Sequence, residues 1–218
     1  VWMTHHRDLR SLLGPLPVLR RDVVLATVGG AALFLAMEFV LPWWSHEEAA
    51  MRPLGGWLLY LPWALVALLV QVGSEELFYR GYLQQQVAAW SSSPAVWLVV
   101  PNLAFAAVHW YNGETYEQSV QYVAWAFFFG LAASDLTART GSLGAAIGFH
   151  LANNIFAFLV VGEAGTYDSG LALFLLPMMP LGAEGPVSGT EPILSMAFGM
   201  DLAVLLLAWL AVRVAIRR

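Results

Sequence analysis

An all-α bundle of about six transmembrane helices, with one further re-entrant or interfacial segment, is the fold this sequence predicts. Three observations lead there. The 218 residues are 59% hydrophobic and 11% charged, with a mean hydropathy of +0.66, a composition suited to lipid rather than water. The apolar residues fall in long runs, most of them of the length that crosses a hydrocarbon core roughly 30 Å thick. Nine of the ten arginines, in a chain without lysine, gather at those ends of the runs that a count of six places together.

By length the chain holds one membrane domain, 23–218, preceded by an arm, 1–22. It has no cysteine, which excludes disulfides, thiolate metal sites and a cysteine nucleophile. No basic cluster is dense enough to track phosphates, so nucleic acid is not an expected partner. The arm sets Arg7, Arg10, Arg20 and Arg21 among Leu9, Leu12, Leu13 and Leu16 and is broken by Pro15 and Pro17, which reads as a cytoplasmic interfacial segment on anionic lipid. Nothing before Val23 has the long apolar core of a signal peptide, so no cleaved targeting segment is expected.

The first span, about Val23 to Leu41, ends at Pro42 with Trp43 and Trp44 as an interfacial belt, and Glu38 near its outer end is expected to be partly hydrated. After the acidic loop of His46, Glu47 and Glu48, a second span runs from about Trp57 to Trp90, where Ser91-Ser92-Ser93-Pro94 stops it. At about 1.5 Å per residue that helix outruns the hydrocarbon core and must tilt or protrude. The third span is about Ala95 to Trp110, followed by a polar loop, Tyr111 to Ser119, with Glu114 and Glu117. The fourth covers Val120 to Ala133, a short turn with Arg139 covers Ser134 to Ser142, and the fifth covers Leu143 to Val161.

The Gly- and Pro-rich stretch Gly162 to Pro192 carries a nine-residue apolar patch, Leu171 to Met179, too short to cross a bilayer and therefore re-entrant or interfacial. The last span, Ile193 to Ile216, is closed by Arg213, Arg217 and Arg218, and Asp201 inside it is expected to meet a structural partner on a neighbouring helix. Only Arg52 falls opposite the other arginines, so both termini are expected in the cytoplasm, in the inner membrane of a prokaryotic cell. No internal repeat is visible, which argues against a transporter built from duplicated halves.

The polar residues inside these runs carry the chemistry. An ionisable group within a membrane helix is costly and marks function by default. Glu75, Glu76 and Arg80 follow the apolar run Trp57 to Val72 directly. Glu76 and Arg80, four apart on a helix, share a face and can pair, which leaves Glu75 pointing about 100° away. His109 lies four residues after Phe105 on the third span, and His150 and Asn154 are four apart on the fifth. Each has a plainer reading as an interhelical hydrogen-bonding group. Together they suit one reaction: Glu75 takes a proton from water as it attacks an amide carbonyl, and His150 and Asn154 donate to the oxyanion.

Three motifs in this order, Glu-Glu-x-x-x-Arg at Glu75, Glu76 and Arg80, Phe-x-x-x-His at Phe105 and His109, and His-x-x-x-Asn at His150 and Asn154, resemble the CAAX protease and bacteriocin-processing (CPBP, or Abi) family. The resemblance covers about residues 57–160. It implies a metal-independent glutamate-type intramembrane peptidase without a cofactor, in which Glu75 and His109 activate water, His150 and Asn154 bind the oxyanion, and Glu76, Arg80 and Phe105 support them. The implied substrate is a membrane-anchored peptide or protein, prenylated and CAAX-like in eukaryotic members. A non-catalytic scaffold or immunity protein of the same family that binds a partner protein is the alternative. Zinc bound by Glu and His is a further one, set against by the absence of an HExxH pair. The oligomeric state is not legible.

Overall fold

The computed structural model describes residues 8, 10–40, 49–165, 170–177 and 192–217. They form a nearly all-α bundle: α1 (Arg10–Leu13), α2 (Leu16–Phe39), α3 (Leu54–Trp90), α4 (Pro94–Ala107), α5 (Tyr116–Thr140), α6 (Gly144–Val160) and α7 (Met196–Ile216). α3 is α-helical over Leu54–Glu76, π-helical over Leu77–Leu83 and α-helical again to Trp90, and α4 runs on as a 3-10 segment, Val108–Asn112.

α2, α3 and α7 are long and apolar enough to cross a membrane, whereas α6 is apolar but shorter. Three spans, not the expected six, meet that test among the described residues. α6 has ten of its residues from Gly144 to Asn154 buried by neighbouring helices, so it needs no full-length apolar surface of its own. α5 is 25 residues long but includes Glu117, Gln118, Gln121, Ser134 and Asp135.

Several expected boundaries move. α2 starts at Leu16, inside the predicted arm, because Pro17 sits in its first turn, where a missing N–H costs no hydrogen bond. The described end of the arm is docked: Leu12 is buried, and the Leu13 carbonyl accepts from Leu143 N at 3.1 Å and Ser142 Oγ at 3.3 Å. Gly14, at φ +80°, packs so closely on the Gly141 carbonyl and Ser142 that a β-carbon there would clash. Ser134 to Thr140, expected as a turn, is the end of α5. The helix stops only at Gly141 (φ 65°), a left-handed cap whose N–H returns to the Thr137 carbonyl.

The apolar patch after α6, expected as a re-entrant or interfacial piece, is in part a β-strand. β3 (Phe174–Leu176) lies between β1 (Ala50–Met51), to which it is antiparallel, and β2 (Val161–Glu163), to which it is parallel, with Leu175 opposite both Ala50 and Gly162. Met178 and Met179 lie outside the described residues, as do Trp43, Trp44, the acidic loop from His46 to Glu48, and Asp168, Glu184 and Glu191. Arg52, the arginine that breaks the sidedness pattern, staples this sheet: Nε donates to the Ala172 carbonyl at 2.8 Å and Nη2 to that of Gly170 at 3.1 Å. Trp57 Nε1 bridges the Leu159 and Leu171 carbonyls at 3.1 and 2.8 Å. Glu38 is buried, against the expectation of hydration.

The bundle closes where α2 crosses α6 along small residues. A β-carbon on Gly144 would strike the Leu19 backbone, one on Gly148 would come 2.7 Å from Ala26 Cβ and 3.0 Å from Thr27 N, and one on Gly30 would come 2.8 Å from Ala152 Cβ. In lipid, where hydrophobicity no longer drives helices together, such close backbone approach supplies the packing. Gly148→Leu is therefore expected to destabilise the protein by about 1–3 kcal/mol or more. Gly73→Ala, whose β-carbon would meet nothing within 4 Å, serves as the control in thermal unfolding in detergent.

Candidate active site

α3 delivers four polar side chains on successive turns: Gln71, Glu75, Glu76 and Arg80. Glu76 and Arg80 are fully buried and paired, Nη1 to Oε1 at 2.9 Å, as their spacing predicts. A buried arginine needs more than one partner. Nη2 donates to Asn102 Oδ1 at 3.2 Å, and Asn102 Nδ2 donates to Ser134 Oγ at 2.8 Å and to the Leu98 carbonyl at 2.7 Å. The guanidinium also lies 4.3 Å from the centre of the Phe105 ring. Gly130 makes room for this group, since a β-carbon there would clash with the Asn102 amide and lie 3.0 Å from Arg80 Nη2. Arg80 is thus an internal residue and not an arginine of a helix end, so the sidedness argument rests on the others.

His150 is the hinge of the site. Its Nδ1 is 2.8 Å from Glu76 Oε1, the oxygen that also takes Arg80, and its Nε2 is 3.9 Å from Glu75 Oε2. With Nδ1–H donating to the buried carboxylate, Nε2 is turned toward Glu75. The ring is gripped by Phe129 at 4.8 Å and meets Phe105 edge-on at 6.2 Å. Glu75 differs from its neighbour in exposure. Its side chain is 29% exposed and accepts from Gln71 Nε2 at 3.0 Å. Gln71 Oε1 in turn lies 3.5 Å from Asn154 Nδ2, and Asn154 Oδ1 accepts from Asn153 Nδ2 at 3.2 Å.

The structure therefore gathers Glu75, Glu76, Arg80, His150 and Asn154 into one polar chain across α3, α4, α5 and α6. His109 reaches it through aromatic contact: its ring centre is 4.7 Å from that of Phe105, and its Nδ1 is 2.8 Å from the Phe105 carbonyl. Among the described residues no hydrogen bond joins His109 to Glu75. Gln71, Asn102, Ser134 and Phe129 are not singled out by the sequence. A lone amide such as Asn102 in an apolar helix is a visible signal, but its partner is 32 positions away and carries no motif. Among the described residues no group of three or more His, Asp or Glu stands close enough to hold a metal ion.

The two carboxylates have divided duties. Glu76 is buried, with Oε1 held by both Arg80 and His150 and Oε2 without a hydrogen bond among the described residues, whereas Glu75 is partly exposed beside the imidazole. Residues 56–156 match the family described as type II CAAX prenyl endopeptidase Rce1-like. That segment is similar to this family. It contains all seven motif residues, from Glu75 to Asn154. Three apolar helices of membrane-crossing length, together with this match, support an integral membrane protein. The chain is also 30% identical over 115 residues to the uncharacterized protein YyaK of Bacillus subtilis (strain 168), covering 53% of this chain and 38% of that relative's length. No solved structure matches.

Proposed function

We propose that the protein is an intramembrane endopeptidase of the glutamate type that cuts membrane-anchored peptides, prenylated CAAX-like ones among them. The observation that carries this reading is the unequal carboxylate pair, with Glu76 locked to Arg80 and His150 while Glu75 stays partly open 3.9 Å from His150 Nε2. Glu75, with His109, takes a proton from water, and the hydroxide adds to the scissile carbonyl. Asn154 donates to the oxyanion, as does His150 in the form that carries a proton on Nε2 as well as on the Nδ1 held by Glu76; Glu75 returns the proton to the leaving nitrogen, and the C–N bond breaks. Glu76, Arg80 and Phe105 hold His150 in place. Both termini lie in the cytoplasm of a prokaryotic cell, and the membrane domain takes in the whole of α2, from Leu16.

The test is cleavage of membrane-anchored and prenylated peptides by the purified protein in liposomes, with His150→Ala beside it and each run with and without a chelator. Wild type is expected to cut and to ignore the chelator. His150→Ala should lose about 10²–10³ in rate, as removal of an oxyanion donor does. Loss of activity on chelation would replace the glutamate mechanism by a zinc one, and no cutting by well-folded wild type across the panel would favour a binding scaffold.

A further inference from the structure

Behind the catalytic helix lies a second polar opening that the proposed chemistry does not use. A half-open cavity of about 150 Å³ lies between α2, α5, α6 and α7, lined by Phe34, Trp125 and Phe149, with Asn153 and Asp201 as its polar groups. Asp201 is exposed, on a helix whose other exposed side chains include Met200, Leu206, Leu207 and Leu210. The structural partner expected for it on a neighbouring helix is absent among the described residues. A carboxylate in a membrane helix without such a partner requires another source of charge or hydration. Three aromatic walls around one carboxylate form the arrangement that accepts an organic cation, since ring faces attract positive charge and tolerate its alkyl groups.

The depth points to the source. Asp201 is five residues into α7, about 7.5 Å along the axis at 1.5 Å per residue. At 21 residues α7 is about as long as the roughly 30 Å hydrocarbon core is thick, so the carboxylate lies near one end of the span, close beneath the headgroup layer, rather than at mid-membrane. We propose that this cavity binds the ammonium group of a zwitterionic phospholipid headgroup, with Asp201 as counter-ion and Phe34, Trp125 and Phe149 as the walls. The site is not isolated from the catalytic one. Asn153, in the cavity wall, donates to Asn154, and Phe149 stacks on Phe129, which touches His150. Lipid in the cavity therefore bears on the helix that carries His150 and Asn154.

Native mass spectrometry of the full chain in detergent, titrated with phosphatidylethanolamine, phosphatidylcholine and phosphatidylglycerol of identical acyl chains, tests the assignment. The wild type is expected to retain the two ammonium lipids at least tenfold better than phosphatidylglycerol, and Asp201→Asn to lose that preference. Trp125→Leu, which removes an aromatic wall and no charge, is expected to cut it at least threefold and serves should Asp201→Asn not fold. Equal retention of all three lipids, an unchanged preference in folded Asp201→Asn, or saturation by soluble ethanolamine without discrimination among lipids would overturn the proposal. Displacement of neither lipid class, but capture of a peptide helix bearing lysine, would assign the cavity to a protein partner instead and overturn it equally.

Discussion

Glu75→Gln is expected to leave the fold intact and remove cleavage, with a loss of about 10²–10⁴ in kcat, the range a positioned general base contributes. The substitution keeps the shape of the side chain and its contact with Gln71, and Glu75 lies 3.9 Å from His150 without the short contacts to buried Arg80 and His150 that Glu76 makes. Its thermal unfolding should therefore match that of wild type. The comparison with Glu76→Gln separates the two roles. That variant withdraws charge from fully buried Arg80 and from His150 at once, so it should lose activity and stability together. Single-turnover cleavage with unfolding followed in the same detergent measures both. A folded Glu75→Gln enzyme that cuts at the wild-type rate would move the base elsewhere.

The second large effect concerns stability. Arg80→Met leaves Glu76 charged and buried, and breaking a buried pair by removing one partner costs about 3–5 kcal/mol. It also strips Asn102 of its donor from Arg80, although Asn102 keeps the Leu98 carbonyl and Ser134. The double variant Glu76→Leu with Arg80→Met replaces the pair by apolar groups and should recover much of that loss, because no lone charge remains. Their coupling, read from a double-mutant cycle in denaturant, is expected at about 1–3 kcal/mol. Additive losses would mean that the two residues act separately despite their 2.9 Å contact. Activity should not return in the double variant, since His150 has then lost its carboxylate.

Residue spacing alone makes part of this site legible. The pair four apart on α3 and the pair four apart on α6 follow from helical periodicity, and the structure sets Glu76 with Arg80 as that periodicity requires. The bond between Glu76 and His150, 74 positions apart, is not legible in the sequence, because no local rule tells which face of α3 meets α6. Periodicity turns Glu75 away from the ion pair, as the structure does, but gives no hint of Gln71. In the fold, the long second helix and the Ser-Pro stop before α4 are readable from composition. The end of α5 is not, since Ser134 and Asp135 look like turn residues. They are helical because one reaches Asn102 and the other takes Arg139 at 2.8 Å and Trp209 Nε1 at 3.1 Å. The strand at Phe174–Leu176 depends on partners at Ala50 and Val161, so its identity is a tertiary fact.

Because Arg80 finds its first counter-charge on its own helix, α3 carries a neutral pair before the rest of the bundle is made. At about 5–20 residues per second, synthesis from Arg80 to His150 takes about 4–14 s, during which Asn102, Ser134 and His150 are not yet in place. A lone arginine held in lipid for that interval would favour retreat of the helix to the aqueous side. A partner one turn away removes that pull, so the nascent chain can leave α3 in the bilayer and recruit the other members of the chain of hydrogen bonds in the order they emerge. The internal ion pair thus acts as an assembly pin during biogenesis as well as a brace in the finished protein.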